Sequence, residues 1–370
     1  MTRGDARVPF MSLAPGADDR AVRAAIDRVI TRGWFILGPE LEAFEAEFAA
    51  ASGAAHAVGV GTGTDALALS LRALGIGPGH EVITSPLSAA FSAIAILMAG
   101  ATPIFADLDE ARLTLDPAAV EAAITTRTAA IMPVHLYGQP ADMTRLGAIA
   151  RAHNLAIVED ACQAHLATCA GQPVGTFGAA GAFSFYPTKN LGALGDGGAV
   201  ITNDASVAAR LRRLRNGGQS ERYHHDEFGI NSRLDEMQAA ILRERLSMLP
   251  ARTARRRALA ARYRAALTGA PVVVPPEQDP GHVYHLFPVR VPDRAAFQSH
   301  LAERGIGTLV HFPVAIPRQP AFAHLSPAPC PIAERVCDEV VSLPLHPALS
   351  DADADVVAAA VHAWRTNRRS

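Results

Sequence analysis

Of the 34 basic residues in this chain of 370, 33 are arginine and one, Lys189, is lysine. A guanidinium stays protonated and is a poor nucleophile, whereas a primary amine in a suitable pocket can lose its proton and condense with a carbonyl. A sole lysine is therefore a candidate for amine chemistry, set against the plainer reading of one more surface cation. Its surroundings add to the case. The run Phe183-Ser184-Phe185-Tyr186-Pro187-Thr188-Lys189-Asn190 delivers a hydroxyl and then the amine, and Gly192, Gly195, Gly197 and Gly198 let the chain turn around a bound ring. Upstream, Val158-Glu159-Asp160-Ala161-Cys162-Gln163-Ala164-His165 ends an apolar run in two acids. A carboxylate there can pair with a protonated pyridine nitrogen and keep such a ring an electron sink; for Asp160 alone a helix cap is the other reading.

Two further clusters accompany these. Gly61-Thr62-Gly63-Thr64-Asp65-Ala66 follows an apolar run and precedes an amphipathic one, so its glycines and free amides at a helix start, with the Thr64 hydroxyl, can hold a phosphate. The same letters fit a dinucleotide fingerprint. That reading needs an acid closing the next strand, and Glu81 opens it instead. Phe228-Gly229-Ile230-Asn231-Ser232-Arg233 places polar groups at the opening of a long helix.

The elements that must position these groups alternate from about residue 56 to 205. Short apolar runs are expected as strands at Ala57–Val60, Glu81–Thr84, Pro103–Ala106, Ala129–Val134, Ala156–Glu159, Ala182–Phe185 and Gly198–Thr202, with helices such as Thr64–Leu74 and Asp142–His153 between them. This is the pattern of an α/β protein with a mostly parallel sheet, in which ligands bind beyond the carboxyl ends of the strands. Beyond Gly229 a long helix is expected, with the arginines of Arg252–Arg264 on its solvated face. A proline-rich and acidic link, Pro271–Gly281, then leads to a smaller α/β portion. Its expected strands lie near Tyr284–Val291 and Thr308–Phe312, and its helices near Arg294–Arg304, Ile332–Val341 and Ala354–Trp364.

The net charge of -2 provides no broad field to recruit nucleic acid or an anionic membrane. Residues Met1–Phe10 lack an apolar core and no later run is long enough to span a bilayer, so the expected location is the cytoplasm. The cysteines fall as Cys162/Cys169 and Cys330/Cys337, six residues between each pair, which matches no common zinc spacing; reduced thiols and no metal are expected.

Across these clusters the chain resembles the DegT/DnrJ/StrS-type sugar aminotransferase family, and the likeness covers nearly its whole length. Pro133-Val134-His135-Leu136-Tyr137-Gly138-Gln139, Gly175-Thr176-Phe177-Gly178, Leu214-Arg215-Asn216 and Asn231-Ser232-Arg233-Leu234-Asp235 resemble family signatures in the expected order. The resemblance implies an aspartate aminotransferase-like fold (pyridoxal-phosphate fold type I): a large cofactor domain, 12–250, with a mixed, mostly parallel sheet, and a linking helix with a smaller C-terminal domain, 251–370. It implies pyridoxal 5'-phosphate bound as a Schiff base to Lys189, which also moves the proton. Asp160 would face the pyridine nitrogen and Gln163 the phenolic oxygen. Gly63, Thr64 and Ser184 would hold the phosphate, with Asn231 reaching in from the second subunit of a homodimer. Tyr186, Arg233 and His311 would face substrate, while His224 and His225 are read as a solvated loop. Where many members place an aromatic residue over the ring, the matched residue here is Ala89, leaving the ring face to another group or to Phe91 from an offset position.

The reaction implied is transfer of an amino group from L-glutamate to a nucleotide-linked keto-deoxysugar, with a 3-keto acceptor preferred over a 4-keto one. Three alternatives differ in kind. A cofactor-dependent sugar dehydratase would carry histidine where Lys189 stands. A regulatory or binding protein of the same fold would bind cofactor without transferring an amine. A nicotinamide-dependent sugar oxidoreductase would carry no cofactor on its lysine.

Overall fold

The computed structural model describes residues 7–13 and 16–365, so the expected C-terminal boundary at residue 370 and part of the Met1–Phe10 stretch lie outside the described residues. Seven strands, His56–Val60 (β1), Glu81–Thr84 (β2), Thr102–Phe105 (β3), Thr128–Met132 (β4), Ala156–Asp160 (β5), Ala180–Ser184 (β6) and Gly198–Thr202 (β7), form one sheet in the order β1-β7-β6-β5-β4-β2-β3. Only β7 is antiparallel to its neighbours, β1 and β6; the other pairings are parallel. This is the mixed, mostly parallel sheet expected, with each strand within two residues of its expected place.

Helices cover both faces, which is why the strands read as apolar runs rather than alternations. Alternate residues part to opposite sides. Ile83, Ile131, Ile157, Phe183 and Ile201 join Phe44 and Phe48 in one buried cluster, while Val82, Ala130, Val158, Ala182 and Val200 join Leu67 and Leu71 in another. The first face is built on Pro39–Ala51 (α2) and a long helix, on which Asp19–Arg32 (α1) packs in turn, and the second on Gly63–Ala73 (α3) and Phe91–Met98 (α4). Met143–Ala152 (α5) and Ala205–Leu214 (α6) follow, then the long helix itself, Glu236–Ala266 (α7).

Helix α7 runs unbroken across residues 250 and 251 with Pro250 inside it, contributing Leu249 to the sheet's core and Leu259 to a separate C-terminal core. The solvated face expected of its arginines holds only in part: Arg257 and Arg262 are exposed, but others are tied to the C-terminal unit. Arg256 is buried and donates to the carbonyls of Tyr284 (3.1 Å), His285 (3.2 Å) and Leu345 (2.9 Å). Arg255 pairs with Asp351 at 2.7 Å and Arg262 with Asp355. The helix is a docking rod between two packing units, and guanidinium forks suit the carbonyls and carboxylates it meets.

In the C-terminal unit Phe287–Arg290 (β8) pairs antiparallel with Val340–Leu343 (β9), flanked by Arg294–Ala302 (α8), Pro331–Glu339 (α9) and Asp351–Ala363 (α10). Three expectations shift here. The first strand starts late because Tyr284 takes a left-handed backbone, φ 47°. The helix expected over Ile332–Val341 stops at Glu339, because Val340 and Val341 are β-branched and find a ladder partner in β8. The strand expected at Thr308–Phe312 is reduced to a single bridge, Leu309 to Ser342, on the outer flank of that ladder. Among the described residues no helix is long and apolar enough to cross a membrane.

Candidate active site

Strands β1, β5 and β6 end on the same side of the sheet at Val60, Asp160 and Ser184, and antiparallel β7 begins there, Gly198 standing opposite both Val60 and Ser184. The register therefore draws three of the four sequence clusters, Gly61–Ala66, Glu159–His165 and Ser184–Asn190, to one sheet edge.

At the first cluster the chain turns into α3. The Thr62 hydroxyl caps the helix by accepting from the Asp65 amide at 3.0 Å. The amides of Gly63 and Thr64 have no acceptor among the described residues, as expected of a first turn. Gly63 is required by close approach: a Cβ there would stand 2.7 Å from Ser184 Cβ and 2.9 Å from Cys162 Sγ. The helix start is thus pressed against the end of β6. The Ser184 hydroxyl accepts from the Tyr186 amide at 3.3 Å and keeps its own proton to donate.

The two acids closing β5 point to opposite faces, as neighbours in a strand must. Glu159, fully buried, accepts from the amides of Gly175 (2.6 Å), Phe177 (2.7 Å) and Gly178 (3.0 Å) and meets His135 Nε2 at 3.1 Å. It is a structural anchor for the Gly175–Gly178 turn. Asp160 faces the site, its Oδ1 accepting from the Cys162 amide at 3.2 Å and its Oδ2 from the Ser92 hydroxyl at 2.7 Å.

Lys189 follows a turn closed by its amide on the Tyr186 carbonyl at 2.8 Å. Its side chain is partly buried and donates to no acceptor among the described residues. Burial pulls its ammonium below the ordinary lysine range, with the Asp160 charge acting the other way. Three histidines share this environment. Burial first and the Lys189 charge second hold His165 down to about 3, His311 down to about 4 and His285 well below the usual range. All three are neutral at pH 7 and add no charge beside Lys189. His165 Nε2 meets the Ser184 carbonyl at 2.9 Å, so it carries the proton and Nδ1 is the unpartnered acceptor.

The Gln163 side chain accepts from the Tyr137 amide at 2.6 Å, and only its oxygen can do so; its NH2 group is left to donate elsewhere. Tyr137 reaches this position through a left-handed backbone, φ 60°, and its hydroxyl donates to the His311 carbonyl. His311 Nδ1 meets the Ser342 hydroxyl at 2.9 Å. Tyr186 is exposed beside Lys189. Arg233, in the fourth cluster, donates one Nη1 hydrogen to Asn216 Oδ1 at 2.9 Å and keeps its other N–H groups to donate. That cluster joins the first through the Ser232 hydroxyl, which bridges the Gly61 amide (2.9 Å) and Asp65 Oδ2 (2.7 Å), while Asn231 is exposed. His224 and His225 are exposed in a short hairpin. Ala89 precedes α4, and Phe91, first residue of that helix, is 59% exposed.

Sequence reasoning missed Ser92 and His285 as neighbours of the site. Nothing in a Ser-Ala or His-Leu dipeptide marks them, although Ser88 and Ser92 stand out as two hydroxyls four apart in an otherwise apolar run.

The sequence profile described as the DegT/DnrJ/EryC1/StrS aminotransferase family matches residues 17–362. The chain is 50% identical over 366 residues to a dTDP-3-amino-3,4,6-trideoxy-α-D-glucose transaminase of Streptomyces venezuelae, covering 97% of this chain and 96% of that relative. It is 44% identical to a UDP-N-acetyl-3-dehydro-α-D-glucosamine 3-aminotransferase of Acidithiobacillus ferrooxidans, covering 95% and 96%. A crystal structure of S. venezuelae DesV superimposes with a TM-score of 0.94 at 50% identity, over 97% of this chain and 98% of that one.

Proposed function

Because the chain belongs to the DegT/DnrJ/EryC1/StrS aminotransferase family, whose cofactor is pyridoxal phosphate, we propose that it moves an amino group from L-glutamate to a nucleotide-linked deoxysugar with a keto group at carbon 3. The observation that carries the reading is the placement of the chain's only lysine, its ammonium pulled down by burial, at the sheet edge shared with Asp160. The preference for carbon 3 is supported by the two transaminases above, both named for an amino group at that position.

The residues present fit the cofactor. Gly63 leaves a cradle that a Cβ would fill, lined by two free amides and the Ser184 hydroxyl, which suits a phosphate. Asp160 presents a carboxylate to a ring nitrogen and Gln163 an N–H to a phenolic oxygen. Bound pyridoxal phosphate supplies an electron sink for the carbon that loses its proton. Lys189 takes that proton and returns it, a task served by an amine whose affinity for protons burial has already lowered. Neutral His165, His285 and His311 line the site without adding a competing cation.

Tyr186, Arg233 and His311 are proposed to meet the sugar side, Arg233 with the N–H groups that Asn216 does not take. Asn231 is proposed to serve a partner's site in a homodimer. Its exposure supports this, as do the large apolar side chains left on the surface at Trp34 (55%), Tyr223 (79%) and Phe228 (84%).

The test is turnover by the full chain with pyridoxal phosphate and L-glutamate, following 2-oxoglutarate against dTDP- and UDP-linked 3-keto and 4-keto deoxysugars. Glutamate-dependent amination of a 3-keto substrate is expected. Faster turnover of the 4-keto isomers would overturn the regiochemistry, and cofactor binding without amination of either would return the regulatory reading.

A further inference from the structure

Asp160 is held from an unexpected direction. The loop before α4 and the first turn of that helix bring two hydroxyls, Ser88 and Ser92, onto one face four residues apart, both buried, at 6% and 1% exposure. Ser92 Oγ lies 2.7 Å from Asp160 Oδ2 and 3.2 Å from Ser88 Oγ. The polarity of this chain follows from the inventory of protons. A carboxylate can only accept, so Ser92 spends its single proton on Asp160, and its oxygen must then accept from Ser88. With the Cys162 amide at 3.2 Å on Oδ1, each carboxylate oxygen has one donor. Both rotation about the Cα–Cβ bond and the tilt of the carboxylate plane are thereby fixed. Neither serine has an obvious packing purpose: alanine would fill either place in a segment that already reads Ala89-Ala90 and Ala93.

We propose that Ser92, supported by Ser88, is a positioning residue that aims the Asp160 carboxylate at the cofactor ring. This rests on the reading of Asp160 as the ring-nitrogen partner. Removing one donor from a charged acceptor weakens what depends on it by about tenfold, and the loss belongs to the interaction with the ring rather than to substrate capture. Ser92→Ala is therefore expected to weaken cofactor affinity about tenfold and to lower kcat with KM for the sugar unchanged. Ser88→Ala is expected to do the same more weakly, because Ser92 keeps its own proton on Asp160. Ser92→Thr keeps the hydroxyl and should restore both readouts to within about twofold.

The experiment measures pyridoxal phosphate affinity of the full chain by titration of the bound-cofactor absorbance, together with kcat and KM, for Ser92→Ala, Ser92→Thr, Ser88→Ala and Asp160→Asn. Thermal melting of the cofactor-free proteins shows that each variant folds. If Asp160→Asn loses affinity and turnover while Ser92→Ala matches the parent, the relay is refuted and the Asp160 reading stands. If Asp160→Asn itself behaves as the parent does, the underlying reading falls. Ser92→Thr failing alongside Ser92→Ala would also refute the relay, since it would mean that packing rather than the hydroxyl matters.

Discussion

Replacing Gly63 by alanine should separate cofactor binding from fold stability. The new Cβ would sit 2.7 Å from Ser184 Cβ and 2.9 Å from Cys162 Sγ, against a comfortable carbon contact of about 3.5–4.0 Å. Something must move by most of an ångström, and the Ser184 backbone is locked in the ladder opposite Gly198. The start of α3 therefore yields, carrying the Gly63 and Thr64 amides away from the phosphate cradle. Overpacking of this kind costs about 1–3 kcal/mol, while exchanging glycine for alanine in a helix returns up to about 1 kcal/mol. The melting temperature of the cofactor-free protein should thus change little. Affinity for pyridoxal phosphate should fall by about tenfold to a hundredfold, as 1.4 kcal/mol corresponds to a factor of ten. The assay is cofactor titration by absorbance beside a melting curve on the same samples. An alanine variant that binds cofactor as tightly as the parent would refute the cradle, and so would equal binding by a variant that has lost most of its stability.

Other outcomes can be checked in parallel. Lys189→Arg keeps the charge and removes the amine. Borohydride reduction in the presence of cofactor should then leave no covalent label on the chain, and turnover should fall roughly a thousandfold or more; in the parent the label should map to the single lysine peptide. Glu159→Gln removes the charge that three amides and His135 share. It should lower the urea midpoint by an amount worth about 2–4 kcal/mol, with the apparent cofactor affinity moving less than in Gly63→Ala. Acid should destabilise the cofactor-free protein through His165 and His311, held at about 3 and about 4. These folded values lie below the unfolded one of about 6.5, so the folded chain binds fewer protons. Their contribution is complete above about pH 6.5 and is lost as pH falls towards the folded values, by up to about 1.4 kcal/mol per pH unit for each. His165→Asn should flatten that acid slope in urea midpoints taken from pH 7 to pH 4. The proposed homodimer is tested by co-expressing Asn231→Ala and Lys189→Arg chains, whose mixed dimers should have one site with both residues intact and so restore part of the activity that each variant alone lacks.

Much of the catalytic identity was legible without coordinates because it lies in residue type and order. A lone lysine among arginines, a strand closing in Glu159-Asp160, and a glycine pair between a strand and a helix are local facts of the chain. The seven strands were readable for the same reason, since a sheet covered on both faces writes itself as short apolar runs. What the chain could not state were contacts between segments far apart in sequence. Which of the two neighbouring acids faces the site depends on where the Gly175–Gly178 amides arrive, and they arrive on Glu159. The arginines of α7 looked solvated because charge spacing on a helix says nothing about which carbonyls will dock against it, and Arg256 meets three. Val340–Leu343 became a strand only because β8 offers it a ladder. The chain by itself determined the chemistry available, through residue types and their order along strands and turns. Tertiary structure alone decided which side chains face that chemistry and which are tied elsewhere, because hydrogen-bond partners and burial are set by segments that meet only after folding.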